Sequence, residues 1–238
     1  MSEIGIVVDS SPAPRPQPAV LAGRVVTLRP FDRPTQAESL YQATHGPETE
    51  ALWRYMGDGP FGSRADFDAA FDKKQQSTDP LFFAIVENAT GTPVGQASYL
   101  RIDPANRVIE VGNIIFSPAL QRSCGATEAM YLMARHVFEN LGYRRYEWKC
   151  NAFNQPSRRA ALRLGFVFEG VFRQHMIVKG RNRDTAWFSM LDSEWPQRRA
   201  SFEQWLAPAN FDPAGRQILS LSTLNSTVSP KEPSATFR

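Results

Sequence analysis

The sequence predicts an α/β (α+β) fold in which a mixed, mainly antiparallel sheet is flanked by helices. Residues 108–116 are rich in β-branched and aromatic side chains and stop at a Ser-Pro pair, which is typical of a buried strand. From Ala126 to about Asn140, apolar residues recur at three- and four-residue steps, as in an amphipathic helix. A strand, a short turn and a helix therefore follow one another near the middle of the chain.

The segments before this unit extend the sheet. Residues 24–29 predict a strand that ends at a proline, and Ser63 is a typical N-cap for a helix that ends near Gln76. Two strand-like runs, 81–87 and 94–101, lead through turn residues into the central strand, so three consecutive strands form an antiparallel meander. The other predicted elements are helices over 35–43 and near 48–55, a strand over 144–150, a helix over 154–164, strands over 167–171 and 185–191 with a loop at 179–183 between them, and a helix from Ser193 to Trp205.

Composition divides the 238-residue chain into one domain with two loose ends. Closely spaced prolines predict a disordered leader over residues 1–20, because proline can neither continue a helix nor donate to a sheet. The domain is expected over residues 21–207. From residue 208 to residue 238 the chain becomes rich in Ser, Thr and Pro, which predicts a flexible tail.

Charge and cysteine content exclude several classes of function. The formal net charge is +3 and the basic residues are spread along the chain, so no nucleic-acid partner is expected. The two cysteines lack the spacing of a disulfide framework or a zinc site, so no metal is expected either. No apolar run approaches the roughly 18 residues of a membrane span, and the N-terminus does not resemble a signal peptide. We expect a cytoplasmic protein without a membrane partner.

The turn between the central strand and helix carries the first functional signal. It reads Gln-Arg-Ser-Cys-Gly-Ala over residues 121–126. Small residues at a helix start leave backbone N–H groups unpaired, and the positive end of the helix dipole lies at the same place. Such a turn can bind phosphate, although an ordinary strand-to-helix turn has the same composition.

This turn resembles motif A of the GNAT acetyltransferases, whose pattern is Gln/Arg-x-x-Gly-x-Gly/Ala. Gln121 and Ala126 match the pattern, whereas Cys124 stands where the family has its first glycine and Gly125 follows one position later. The order of the predicted elements over about residues 22–195 is similar to the GNAT fold. Four further segments resemble the RimJ/RimL branch of that family: residues 116–118, 127–129, 151–166 and 170–184.

The resemblance implies a binding site for acetyl-CoA, the co-substrate of the family. In this branch, the central strand pair splays apart and the pantetheine arm hydrogen-bonds in the opening; here the two sides would be residues 108–116 and 144–150. Asn154 and Ser157 match the family's Asn-x-x-Ser pattern, in which Asn binds pantetheine and the hydroxyl protonates the leaving thiolate; capping the helix is the alternative for both. The residues expected to contact acetyl-CoA are Ile115, Phe116, Gln121, Arg122, Ser123, Cys124, Gly125, Ala126, Thr127 and Asn154.

An amine attacks only when it is neutral, so a positioned base would help the reaction. Glu110, early in the central strand, is our candidate for this base, directly or through water. The alternative is a strand carboxylate that faces solvent. His45 and His175 are other candidates near predicted loops, although a lone histidine in a loop is more often structural. Trp53, Tyr55, Phe61 and Trp148 are candidates for lining an acceptor pocket, although such aromatic residues more often belong to the core.

We therefore expect an acetyl-CoA-dependent N-acetyltransferase that acts on a primary amine, either a protein N-terminus or a small molecule. The alternative is a non-catalytic module that keeps the acetyl-CoA pocket as a sensor or scaffold. Exposed strand edges are compatible with a homodimer, although the sequence does not show one.

Overall fold

Residues 5–226 are described here from a computed structural model. They form one eight-stranded sheet in the order β1-β2-β3-β4-β5-β6-β8-β7, in which only β5 and β6 pair in parallel. The predicted fold class is confirmed. The strands are β1 Leu21–Ala22, β2 Val26–Pro30, β3 Leu81–Glu87, β4 Pro93–Asp103, β5 Val108–Phe116, β6 Arg145–Asn151, β7 Val167–Val178 and β8 Arg181–Leu191. The α-helices are α1 Arg33–Thr44, α2 Arg64–Gln76, α3 Cys124–Arg135, α4 Gln155–Arg163, α5 Trp195–Leu206 and α6 Leu221–Ser226.

Strand alternation gives the sheet two different faces near its centre. Val111, Trp148 and Phe188 belong to the same buried cluster as the apolar side of α3, and we call this the α3 face. Glu110 and Lys149 point to the opposite side, which we call the Glu110 face. Helices α1 and α2 cover the β3 part of the Glu110 face, where a second core forms around Phe31, Phe67, Phe71, Phe82 and Ala84.

The central parallel pair separates after four residue pairs. Val108–Val111 of β5 pair with residues 145–148 of β6, and both strands then continue without pairing to each other. A bulge in β5 accompanies the separation, because Gly112 and Ile115 stand opposite Ser98 and Gln96 of β4. Asn113 takes a left-handed conformation at φ 51°, and its side-chain amide donates to the Ser98 hydroxyl at 2.9 Å. The opening is therefore a fixed feature of the sheet.

Two local predictions were wrong near the C-terminal strands. The expected loop at 179–183 is only a tight turn, since Arg181–Leu191 is a strand from its first arginine. Residues 181–183 pair with β7 beyond the end of β6. They are polar, so they lack the apolar alternation by which a strand is recognised in a sequence. Ser193 does not cap α5: the N-cap is Glu194, which makes no side-chain cap bond.

Parts of both chain ends pack against the domain, although their composition predicted a disordered leader and a flexible tail. Residues 208–226, expected in a flexible tail, contain a 3₁₀-helix (Pro208–Asn210) and α6, whose Leu221 is buried. Arg198 of α5 donates to the carbonyl of Asn225 at 3.0 Å. In the expected leader, the amide of Ala13 donates to Pro104 O at 3.0 Å. Residues 1–4 and 227–238 of the two predicted ends lie outside the described residues.

Candidate active site

Glu110 lies beside the point where β5 and β6 separate. It is 3% exposed, so the alternative of a solvent-facing carboxylate does not hold. Its Oε2 atom is 2.7 Å from the guanidinium of Arg101 and 2.9 Å from Nζ of Lys149. Two cations therefore fix the orientation of this carboxylate, and neither could be identified from sequence because both contacts join different strands.

Lys149 links Glu110 to a longer row of charges on the same face. Its Nζ atom is 2.7 Å from Glu147, and it lies 3.7 Å from the ring centroid of Trp187. Glu147 in turn accepts from Arg145 at 2.7 Å. A buried ammonium needs such partners, because an unpaired buried charge is strongly destabilising. Lys149, Glu147 and Arg145 of β6 thus form a continuous row of contacts that reaches Glu110 of β5 next to the opening.

The turn before α3 is organised around Ser123. Its Oγ accepts from the amide of Ala126 at 3.1 Å and caps the helix. Gln121 donates to the carbonyl of Phe116 at 3.0 Å, which ties the turn to the end of β5. Within the described part of the chain, the amides of Cys124 and Gly125 have no acceptor, as expected for a first helical turn. These two donors remain free for an anion.

Gly125 is required by packing against β2. A Cβ atom at this position would lie 2.8 Å from Cγ1 of the buried Val26, so a larger residue would force either this side chain or the helix start to shift. Glu128 fixes the same contact, since its carboxylate accepts from the amides of Arg24, Val25 and Val26 at 2.6–2.9 Å. The helix start and β2 are thus held as one unit.

Two arginines flank this helix start, and sequence reasoning missed both. Arg24 reaches the sulfur of Cys124 at 3.9 Å, and Arg163 donates to the Thr127 hydroxyl at 3.1 Å. Burial lowers the pKa of Arg163 and raises the pKa of the Cys124 thiol. Because Arg24 and Arg163 lie far from the turn in sequence, no local pattern connects them. They make the helix start more positive than its dipole alone.

Asn154 and Ser157 lie at the start of α4, beside the α3 face of β6. Asn154 is the N-cap and its Oδ1 accepts from the Ser157 amide at 3.2 Å. The Ser157 hydroxyl accepts from Nε1 of Trp148 at 3.0 Å. Burial raises the pKa of the Cys150 thiol on the same strand. The indole thereby fixes the hydroxyl oxygen and leaves its proton to point elsewhere.

The remaining aromatic and histidine candidates differ in burial and in hydrogen bonding. Trp53 and Trp148 are 1% and 5% exposed and belong to the core, whereas Tyr55 and Phe61 are half-buried. His45 bonds to Thr44 and to the amide of Phe61, so both of its ring nitrogens have structural partners. His175 contacts the Thr185 hydroxyl at 3.0 Å on the Glu110 face.

The β7–β8 turn meets the segment that follows α1. Lys179 in this turn donates to the carbonyl of Trp53 at 3.0 Å and to that of Gly59. Tyr55 also donates to Phe153 O at 3.3 Å, beside the start of α4. The 53–61 segment and the β7–β8 hairpin therefore meet over the Glu110 face, where Lys179 joins them.

The parallel strand pair thus opens beside a helix start with two free amides, and a buried carboxylate lies on the opposite face of the sheet. The chain belongs to the GNAT acetyltransferase family, since the acetyltransferase (GNAT) domain of that family matches residues 26–167. It is similar to the crystal structure of a GCN5-related N-acetyltransferase from Brucella melitensis, with 48% identity over 91% of this chain and 98% of that one, at a TM-score of 0.89.

Curated relatives agree with this assignment. An uncharacterized N-acetyltransferase, p20, of Bacillus licheniformis is 28% identical over 71% of this chain and 94% of its own length. The ribosomal-protein-serine acetyltransferase of Escherichia coli is 31% identical over 34% of this chain and 45% of its own length. The recognition of a GNAT protein of the RimJ/RimL-like branch is thus confirmed.

Residues 5–226 contain neither a candidate membrane-spanning helix nor a candidate metal cluster. None of the helices there has the length and apolar character needed to cross a membrane. No group of three or more His, Cys, Asp or Glu side chains in that range is arranged to hold a metal ion.

Proposed function

We propose that the protein is an acetyl-CoA-dependent N-acetyltransferase that moves the acetyl group directly to a primary amine. One observation carries this proposal: β5 and β6 separate after Val111, near the start of α3 with its two free amides and near the buried Glu110. A donor that enters from the α3 face and an amine that enters from the Glu110 face can meet in this opening.

The α3 face supplies groups that suit acetyl-CoA. The free amides of Cys124 and Gly125, with Arg24 and Arg163 beside them, suit a pyrophosphate. Acetyl-CoA supplies an activated acetyl thioester when it is bound. The unpaired end of β5 offers backbone groups to its amide-containing arm, as an open strand edge does for an added strand. We assign this binding to Ile115, Phe116, residues 121–127 and Asn154, with Arg24 and Arg163 added.

Glu110 is proposed to take the proton from the amine, directly or through one water. At pH 7, removing the proton from a lysine-like amine with a pKa near 10.4 costs about 4.6 kcal/mol. For an α-amine with a pKa near 7.8, the same step costs only about 1 kcal/mol. Arg101 and Lys149 hold the carboxylate in one orientation for this step. The base can contribute about 100-fold or more to the rate.

Ser157 is proposed to return a proton to the leaving sulfur. The reaction forms a bond from nitrogen to the acetyl carbon and breaks the bond from that carbon to sulfur. The amine loses one proton and the thiolate gains one, so the step balances. The oxygen of Ser157 already accepts from Trp148, which leaves the hydroxyl hydrogen available for donation.

The acceptor is proposed to be a protein N-terminus or a small-molecule amine. One relative is named for a ribosomal-protein serine, which supports testing peptides as well as small amines. The rival function is a sensor or scaffold that binds acetyl-CoA without turnover. Thiol release from acetyl-CoA with a panel of peptides and small amines separates the two. Amine-dependent release supports the transferase, and binding without release from any amine supports the rival.

A further inference from the structure

A bulge in β7 places His175 above β8 on the Glu110 face. Residues 173–175 of β7 stand opposite Asp184 alone, so β7 carries two extra residues at this point. Gln174 has a φ of +48°, and its amide donates to Oδ1 of Asp184 at 2.7 Å. Bulges of this kind redirect side chains, often beside functional sites. The geometry that turns His175 toward β8 is therefore held by a specific contact.

Thr185 joins His175 to Arg183. The Thr185 residue is fully buried, and its hydroxyl lies 3.0 Å from Nδ1 of His175. The same hydroxyl accepts from Nε of Arg183 at 3.2 Å. One buried oxygen thus anchors both side chains, and the half-buried Arg183 cannot swing freely into solvent.

Arg183 differs from Arg101 and Lys149 because it has no carboxylate partner among the described residues. Arg101 and Lys149 both contact Glu110, whereas no carboxylate in residues 5–226 comes within ion-pair distance of Arg183. The adjacent Asp184 is used by the bulge. Burial lowers the pKa of Arg183, which reflects the cost of keeping this charge away from water. Within residues 5–226 its terminal nitrogens have no hydrogen-bond partner, and they are not sealed from solvent.

The position of Arg183 relates it to the proposed base. Arg183 and His175 both lie within electrostatic reach of Glu110 and Arg101. The tip of their hairpin is attached through Lys179 to the carbonyl of Trp53, in the segment that follows α1. An acceptor whose amine is beside Glu110 would therefore have its neighbouring groups near Arg183.

We infer that the acceptor amine carries a carboxylate and that Arg183 binds this carboxylate. The inference rests on the proposed acetyl transfer and names its substrate class. A guanidinium presents paired N–H donors that match a carboxylate, and a partly buried arginine without an acid partner is satisfied best by such a group. The carboxylate can belong to a free amino acid or to an acidic residue near the start of a peptide.

The test compares matched acceptors that differ only in the negative charge. One arm pairs an amino-terminal peptide containing aspartate or glutamate with its asparagine or glutamine version, and the other pairs free amino acids with their amides. The measured quantity is the ratio of kcat/KM for the acidic acceptor to that for its neutral match. We expect a ratio of about 10 to 100 in at least one arm, in line with a charge-assisted hydrogen-bonded pair.

Arg183→Gln should bring this ratio close to one, chiefly through a higher KM for the acidic acceptor. Arg181→Gln is the matched control, because Arg181 lies on the same strand and is exposed; it should leave the ratio unchanged. Acetyl-CoA binding and melting temperature show that each variant is folded. A wild-type ratio near one in both arms, or a ratio that Arg183→Gln preserves, overturns the inference while acetyl transfer stands. Absence of turnover with every amine overturns the proposed function and the inference together.

Discussion

The Nζ atom of Lys149 lies 2.9 Å from Oε2 of Glu110, and both side chains are only 4% exposed. The two residues come from the parallel strands β5 and β6, close to where these strands separate. The contact therefore fixes the one carboxylate that we propose as the base at the edge of the opening. It also means that changes to Glu110 affect a buried ion pair as well as the chemistry.

Glu110→Gln should lower kcat/KM for the best amine by about 100-fold or more, because the side chain keeps its shape but can no longer accept the amine proton. Steady-state kinetics measure this loss. Glu147→Gln is the control, since Glu147 also contacts Lys149, at 2.7 Å, but has Arg145 as its other cation. It should reduce kcat/KM less than about tenfold. Equal losses in both variants would show that Glu110 acts only through the ion pair.

Ser157→Ala should lower kcat by roughly 10- to 1000-fold, the range of positioned acid catalysis, and leave acetyl-CoA affinity nearly unchanged. Kinetics and calorimetric binding give the two quantities separately. Trp148→Phe is the matched control, because it removes the 3.0 Å bond to Ser157 but keeps the hydroxyl. If Ser157→Ala turns over like the wild type, the residue is only part of the α4 cap and another group protonates the thiolate.

Acetyl-CoA should raise the melting temperature of the protein. At about 100 times its dissociation constant the ligand adds about 2.7 kcal/mol to the free energy of unfolding. Cys124→Trp should abolish the shift, because the indole would cover the free amides at the start of α3, whereas Cys124→Ala should keep it. Differential scanning calorimetry with and without ligand measures both. A full shift in the tryptophan variant would mean that the phosphates bind elsewhere.

Glu128→Ala should destabilise the apo protein by about 3 kcal/mol or more, because three backbone N–H groups lose their acceptor. For a chain of this size, that loss corresponds to a fall in Tm of about 6 °C or more. Glu87→Ala is a suitable control, since Glu87 accepts a side-chain hydrogen bond from Thr90 only. A loss below about 1 kcal/mol for Glu128→Ala would show that the segment before β2 is held mainly by other contacts.

Stability should fall as the pH drops below about 6.5, since burial lowers the pKa of all three histidines, His45, His136 and His175. In that range the unfolded chain binds protons that the folded chain does not, so the free energy of unfolding rises with pH. The stabilisation is complete above the unfolded pKa and is lost as the pH falls through the folded values. Urea unfolding between about pH 7.5 and pH 5.5 measures the slope. His136→Gln should flatten it, and an unchanged slope would contradict this origin.

Local patterns predicted the elements that surround the site. The bounds of β5, Val108–Phe116, and the Ser63 cap of α2 agree with the structure, because strand propensity and capping depend on neighbouring residues. Asn154 caps α4, the alternative that the sequence analysis had left open beside its proposed role in binding. The contacts of Arg24, Arg163 and Lys149 were not predictable, since each joins segments that only the tertiary fold brings together.

The ends of the chain and the last hairpin show a different limit. α6 is six residues long, and its two buried leucines give too short a period to indicate a helix. The strand extension from Arg181 is polar and lies near the sheet edge, where the apolar alternation that marks a strand is absent. As a result, the sequence predicts a loop at residues 179–183, and it does not predict that Arg183 and His175 contact the same hydroxyl of Thr185.

The central claim is that the acetyl group passes from acetyl-CoA to an amine in the opening between β5 and β6. The most direct test incubates the protein with acetyl-CoA and its best amine and measures, in the same sample, free CoA by thiol titration and acetylated amine by mass spectrometry. The account predicts equal amounts of the two products, both strongly reduced in Glu110→Gln. Release of CoA without acetylated amine, or no release with any amine, would contradict it.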